Sequence, residues 1–588
     1  MSKIGILLKS VRQYKLKTFL TPVLMLGEVL CEVIIPTVTA DLIDNGFYNN
    51  DMPYIVKLGI ILFVLAIVQM AFGVICGKFA SDAGVGFAAN LRQDVFYAIQ
   101  NYSFTNIDKF SNASLVTRLT TDITNIQRTY MTLIRTAFRS PLMLIFSFVM
   151  AFRISSTIAS YYLMALPVLM IGIGSIMIIA HPIFTRVFNE YDKLNANVGE
   201  NVRGIRVVKS FVREDYEKQK FDTTSNNIRR YFTKAERIIG FGMPLMNLCV
   251  FAIMIVIGYF GSKEIIASGN GSIDPNGMTT GMLTSCVAYA MQILMSLMML
   301  SMVLLQVTMS RASINRVSEL LREKSDITTK ENAVTEIPDG SIEFENVNFA
   351  YSRNASKNVL TDINLKIESG QTIGILGSTG SSKSSLVQLI PRLYDVNEGS
   401  VKVGGIDVRD YDLDVLRKNV AMVLQKNTLF EGTIKENLRW GKEDATDEDI
   451  VRVCKLACAD EFIEQFPDKY DTKIDQGGAN VSGGQKQRLC IARAILRHPK
   501  ILILDDSTSA VDTKTDAKIR AAFKNEIPET TKLIIAQRVA SVMDADKIVV
   551  LDDGKIVDCG THDELMKTSE IYRTIYETQM NGGDEDAE

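Results

Sequence analysis

A chain of 588 residues is too long for one hydrophobic core, so two or more domains are expected. Its net charge of −3 excludes bulk electrostatic attraction to nucleic acid. Eight scattered cysteines show neither zinc nor disulfide spacing, and the only histidines are His181, His498 and His562.

The start, MSKIGILLKSVRQYKLKTFL, is basic and amphipathic and lacks a small-residue cleavage site. It reads as an interfacial helix leading into a membrane span. Six apolar stretches, each about 20 residues long and so able to cross a bilayer, lie near 18–38, 58–77, 136–153, 157–180, 239–261 and 281–306. No Lys or Arg occurs between Lys17 and Lys57, whereas residues 78–135 hold six and residues 182–237 hold twelve. Positive charge therefore alternates between the two sides. That places both long loops and both termini in the cytoplasm of a multi-pass cell-membrane protein. The two loops keep helical apolar spacing, as in FAANLRQDVFYAIQ and VRGIRVVKSFV, so the spans should continue as helices beyond the bilayer.

Two features inside the spans bear on cargo. Glu28 and Glu32 lie four apart on one helix face, and carboxylates within a span are costly unless they serve a site or pair with other helices. Met291, Met295, Met298 and Met302 recur at helical spacing in the last span. Such a stripe can adapt to varied apolar ligands, although helix packing is the commoner use. A small amphipathic substrate fits both features, and the two acids lean it toward cationic compounds.

Residues 1–323 thus read as an all-α transmembrane domain of six helices, and 324–340 as a polar linker. From SIEFENVNFAY onward, residues 341–575 alternate strand and helix patterns, followed by an acidic tail, 576–588, expected to be disordered. Within this second domain GILGSTGSSKSSL follows a strand and opens a helix. Gly377, Ser378, Thr379, Gly380, Ser381, Ser382, Lys383 and Ser384 fit a phosphate-binding loop except that Ser382 stands where the pattern has Gly. Lys383 can reach phosphates, and the Ser384 hydroxyl can bind Mg²⁺. Downstream, ILILDD delivers Asp505, suited to Mg²⁺, with Asp506 beside it.

VSGGQKQRLCIARA, at 481–494, resembles the signature of ATP-binding cassette (ABC) transporters, and the order of motifs resembles that family along nearly the whole chain. The resemblance implies a type I ABC exporter fold fused to an α/β P-loop ATPase domain, with ATP and Mg²⁺ as cofactors. By the same resemblance Tyr351 would stack on adenine. Ser385 would belong to the nucleotide loop, and Gln425 would join Ser384 and Asp505 around Mg²⁺. Ser482, Gly483, Gly484 and Gln485 would act on ATP held by an opposite subunit, and Asp512 would lie at the dimer interface. The loop tips near 105–113 and 211–221 would be coupling helices.

Departures from the pattern cluster at one place. Asp506 stands where active cassettes carry a longer glutamate, and Gln537, in IIAQRVAS, stands at the switch histidine. Glutamine can donate a hydrogen bond but carries no proton or positive charge at neutral pH. With Ser382, these resemble the degenerate-site subunit of heterodimeric bacterial exporters. The implied partner is a second, non-identical ABC half-transporter in a lipid membrane. A regulatory or gating ABC subunit without transport of its own is the alternative.

Overall fold

The structure is a computed structural model that describes residues 3–274, 277–352, 357–507 and 509–581. Its chain separates into two compact units: Met1–Gln100 with Asn112–Glu323, and Asn101–Ser111 with Lys324–Glu588.

The first unit is helical. Among the described residues, six helical stretches, Lys3–Phe47, Met52–Gln100, Asn112–Ile154, Ser156–Arg203, Glu214–Ser268 and Thr280–Arg322, are long and apolar enough to cross a membrane. Each expected span falls within one of them. At 43 to 55 residues they far exceed the roughly 20 that a bilayer requires, so the helical spacing of the loops reflects continuing helices. Between apolar helices in lipid, packing and a few hydrogen bonds must supply the cohesion. The Tyr289 hydroxyl donates to the Val33 carbonyl and meets Thr37 Oγ1, both at 2.7 Å. Tyr162 donates to the Cys286 carbonyl at 2.7 Å, and Ser285 to that of Pro36 at 2.5 Å. Outside the expected spans 136–153 and 281–306, buried Asp122 accepts from Arg316 Nε at 2.7 Å, Arg316 Nη2 at 2.5 Å and Ser313 Oγ at 2.8 Å.

The second unit is built on sheets. Six strands form its larger sheet: β1 (Thr372–Gly377), β2 (Val420–Val423), β3 (Ile501–Asp505), β4 (Thr531–Ile535), β5 (Lys547–Asp552) and β6 (Lys555–Gly560). Their spatial order is β6-β5-β1-β4-β3-β2. All neighbours are parallel except the edge pair β5–β6. ILILD and TKLII are buried at every position, as expected of parallel strands covered on both faces, although Thr531 and Lys532 open the second with polar groups. A four-stranded antiparallel sheet containing Ile342–Phe349 packs through a second core.

Three sequence boundaries shift. Loop-tip residues Asn101–Ser111 cluster with the sheet unit, where Tyr394 donates to Asp108 Oδ2 at 2.6 Å. The 324–340 linker is tied down, since Val334 exchanges backbone hydrogen bonds with Asp410 and Asp412 at 2.8 and 3.0 Å. The segment expected to be a disordered tail begins inside a helix, Glu570–Asn581, because Tyr572 is fully buried and Ile575 and Tyr576 pack on the main core. Residues 582–588 lie outside the described residues.

Burial pushes the Asp122 carboxyl up, but the bonds from Arg316 and Ser313 outweigh it and hold the group below the usual carboxylate range. A depressed folded-state pKa stabilises above the unfolded value, and that stability is lost as pH falls through the folded value. Asp122→Ala should cost about 2 kcal/mol at neutral pH through lost charge-assisted hydrogen bonds, because the Arg316 side chain is 45% exposed and water can take over its charge. Thermal unfolding of the full chain in detergent checks this, and the difference from wild type should shrink on acidification.

Candidate functional site

In an open parallel sheet, functional groups gather where strands end, because loops leave the carboxyl edge and reverse direction there. Here β1 ends at Gly377, β3 at Asp505, and β4 two residues before Gln537, while Gln425 follows β2. These residues line a single cavity of about 940 Å³ together with Ser378, Thr379, Gly380, Ser382, Lys383, Ser384, Ser385 and Asp506.

The loop after β1 is shaped by backbone demands. Gly377 has φ +154, and a Cβ there would meet the Leu551 carbonyl at 2.2 Å, so only glycine fits. Ser382 is held at φ +72, ψ 23, the left-handed conformation that suits glycine. The sequence departure at 382 is therefore a strained residue at the start of helix Lys383–Gln388. Lys383 folds back over the loop, its Nζ donating to the carbonyls of Gly377 at 2.9 Å and Ser378 at 2.8 Å and to Ser381 Oγ at 3.3 Å. Burial pulls its ammonium below the ordinary lysine range, against the opposing pull of Asp506 and Asp505.

The two carboxylates at the end of β3 have different partners. Asp505 Oδ1 accepts from Ser384 Oγ at 2.8 Å. Burial pushes the Asp505 carboxyl up, assisted by the charge of Asp506 and opposed by Ser384 and Lys383. A cation at this point would relieve that burden. Ser384 and Asp505 supply hard oxygen donors, and Gln425 can add an amide oxygen, which suits Mg²⁺. Asp506 sits at φ +50. Its Oδ2 accepts from Gln425 Nε2 at 3.1 Å and from Gln537 Nε2 at 2.8 Å. Two neutral amides thus engage one oxygen of this carboxylate.

Other residues singled out in the sequence stand beside this cavity. Tyr351 is not in its wall; its hydroxyl meets Ser385 Oγ at 2.8 Å, and its ring stands edge-on to Tyr394 at 5.0 Å. Ser482–Gln485 begin the helix Gly483–Ile495 as a reciprocal cap: Ser482 Oγ accepts from Gln485 N at 3.3 Å, and Gln485 Oε1 accepts from Ser482 N at 2.9 Å. None of these four lines the cavity, and Ser482 and Gly483 are exposed. Asp512 caps the helix Thr513–Glu526 through Thr515 N at 2.9 Å.

In the helical unit, Arg139 supplies a partner that the sequence reading missed. Its Nη2 lies 2.6 Å from Glu32 Oε2 and 3.9 Å from Glu28 Oε1. Glu28 Oε2 is buried with no hydrogen-bond partner among the described residues. Glu32 and Arg139 line a cavity of about 300 Å³ with Ser140, Met143, Met291, Gln292, Met295, Ser296 and Met299. Met298 and Met302 do not line it; Met299 takes their place on that face. Also unforeseen, Asp552 and Glu570, Ile571, Thr574, Ile575 and Gln579 of the last helix line the 940 Å³ cavity. No local motif marks them, and Gln579 lies in the segment read from the sequence as an acidic tail.

Comparison with known proteins agrees with this geometry. The family described as ABC transporter transmembrane region matches residues 18–298, and that described as ABC transporter matches residues 360–509. The uncharacterized ABC transporter ATP-binding protein YfiB of Bacillus subtilis (strain 168) is 33% identical over 577 residues, 97% of this chain and 98% of its own. The ATP-dependent lipid A-core flippase of Desulfotalea psychrophila is 32% identical over 545 residues, 92% of each chain. A solved structure of a bacterial Atm1-family ABC exporter with ATP bound has the same fold, with a TM-score of 0.82 at 21% identity over 97% of this chain and 98% of that one. Six apolar helices joined to a parallel-sheet unit, matched in both halves and along their full order, make this chain a member of the ABC transporter family.

Proposed function

We propose that this chain is one half of a heterodimeric, ATP-driven exporter. Its own site binds ATP with Mg²⁺ and hydrolyses it slowly, and its signature completes the active site of a non-identical partner. The observation that carries this reading is the Asp506 carboxylate, shared by two glutamine amides with no histidine among the described residues that line the cavity. A glutamate would reach about 1 Å further toward an attacking water, and a misplacement of that size can cost on the order of 100-fold in rate. Gln537 can donate to the terminal phosphate but cannot relay a proton. The ammonium of Lys383 and the hydroxyl of Ser384 remain to bind phosphate and metal, so binding survives where cleavage is slowed.

The signature points the same way. An intact, capped SGGQ turn that is exposed and absent from the wall of its own cavity is suited to a nucleotide on another chain. Closure of the two cassettes would reach the spans through the tips near 105–113 and 211–221. At the second tip Phe211 and Val212 are 73% and 81% exposed, an apolar surface suited to docking on the partner's cassette. Both termini and both tips are placed in the cytoplasm, and the chain in the cell membrane.

The cargo proposed is amphipathic: drugs, lipids or peptides. A relative named for flipping lipid A core supports lipids as one class. Two carboxylates and one guanidinium leave the Glu28–Glu32–Arg139 cluster one negative charge when all are ionised, a weaker pull on cations than the two acids alone. Transport in proteoliposomes by Glu28→Gln and Glu32→Gln variants checks this; cation flux should fall more than flux of neutral amphiphiles.

Asp506→Glu combined with Gln537→His should raise turnover at this site on the order of 100-fold, measured as ATPase activity of the full chain with its partner's site inactivated. Ser382→Gly should leave thermal stability nearly unchanged, since about 1 kcal/mol of relieved left-handed strain is offset by a more flexible unfolded chain. Its ATP affinity should rise, because no side chain then crowds the phosphates; equilibrium binding of ATP checks this.

A further inference from the structure

We infer that Gln579, on the last helix, is a positioning residue for the nucleotide site: it sets the switch loop so that Gln537 faces Asp506. This rests on the reading that the cavity holds ATP with its terminal phosphate at Gln537.

One amide makes both contacts. Gln579 Nε2 donates to the Gln537 carbonyl at 2.7 Å, and Gln579 Oε1 accepts from Val539 N at 2.8 Å. The side chain therefore bridges two backbone groups two residues apart, as a neighbouring strand would, just where β4 has ended and sheet pairing no longer fixes the chain. Each of those groups would otherwise need water or another partner. With the backbone at 537–539 pinned, the Gln537 side chain is directed at Asp506 Oδ2, 2.8 Å away. The run of contacts is continuous from Gln579 through the Gln537 backbone to the Gln537 amide and Asp506.

The helix is well placed for this role. Glu570, Ile571, Thr574, Ile575 and Gln579 all border the nucleotide cavity, so one helix face forms part of its wall. The helix is anchored independently of Gln579. Tyr572 is fully buried in the main core, and its hydroxyl lies 2.6 Å from His562 Nδ1. Removing the Gln579 amide should therefore free the switch loop without undocking the helix.

Positioning of a group that meets the terminal phosphate should affect ATP more than ADP. Full-length Gln579→Ala, Gln579→Glu and wild type are compared in detergent by equilibrium competition of ATP and ADP against a fluorescent nucleotide, with thermal midpoints recorded. Gln579→Ala should weaken ATP about fivefold, the worth of roughly one net hydrogen bond, while ADP stays within about twofold. Gln579→Glu keeps the acceptor for Val539 N but turns a carboxylate oxygen toward the Gln537 carbonyl, so it should weaken ATP at least as much as Gln579→Ala. An unchanged ATP-to-ADP ratio, or a parallel loss of both nucleotides with a lowered midpoint, would overturn the inference. Failure of wild type itself to bind ATP would instead remove the underlying site assignment.

Discussion

The chemistry of the cassette depends on how one strand end distributes two adjacent carboxylates. Strand β3 is buried throughout, so its direction and height are fixed by the sheet on both sides. Asp505, the last residue of the strand, is engaged by the phosphate-loop serine, and Asp506, in a left-handed turn, is engaged by glutamines from two other strand ends. Consecutive residues thus have separate partners: one the phosphate-loop serine, the other the glutamine that faces it from the end of β4. The shorter side chain at the second position matters because this frame is rigid. A loop could move to compensate for a missing methylene, whereas a strand paired on both sides resists such movement.

Two of the thirteen non-glycine residues with positive φ among the described residues lie in the same region. Ser382 and Asp506 both have positive φ, and both line the one cavity. Left-handed backbone costs such residues about 1–2 kcal/mol, and it persists where the surroundings fix the conformation. Here the surroundings are the parallel strands and the loop folded under Lys383. Meanwhile the signature turn is well capped and does not line this cavity. In the proposed assembly the chain lends a sound part to its partner and keeps an altered one for itself.

Much of this was legible in the sequence because it is local. Runs such as ILILD and TKLII announce buried parallel strands, and the glycine-rich loop, the SGGQ turn and the Asp pair are each set by neighbours within a few residues. The predicted spans were legible through length and hydropathy, and the long helices beyond them through apolar spacing. What could not be read depends on distant partners. Arg139 meets Glu32 from 107 residues away, so the two acids looked isolated. The face that Met291 and Met295 present is shared by Met299 rather than Met298 or Met302, because packing, not spacing, fixes the rotation of that helix. Gln579 reaches Gln537 across 42 residues from a segment that composition marked as a tail, and the buried Tyr572 carries structure into it.

The central claim is that ATP is retained at this chain's site while the partner's is consumed. The direct measurement is the chemical state of nucleotide cross-linked to each subunit after a single turnover of the assembled, membrane-embedded transporter loaded with photoreactive ATP and Mg²⁺. The account predicts intact triphosphate on this chain and diphosphate on the partner. Diphosphate appearing on this chain as fast as on the partner, or in a homodimer of this chain alone, would contradict it.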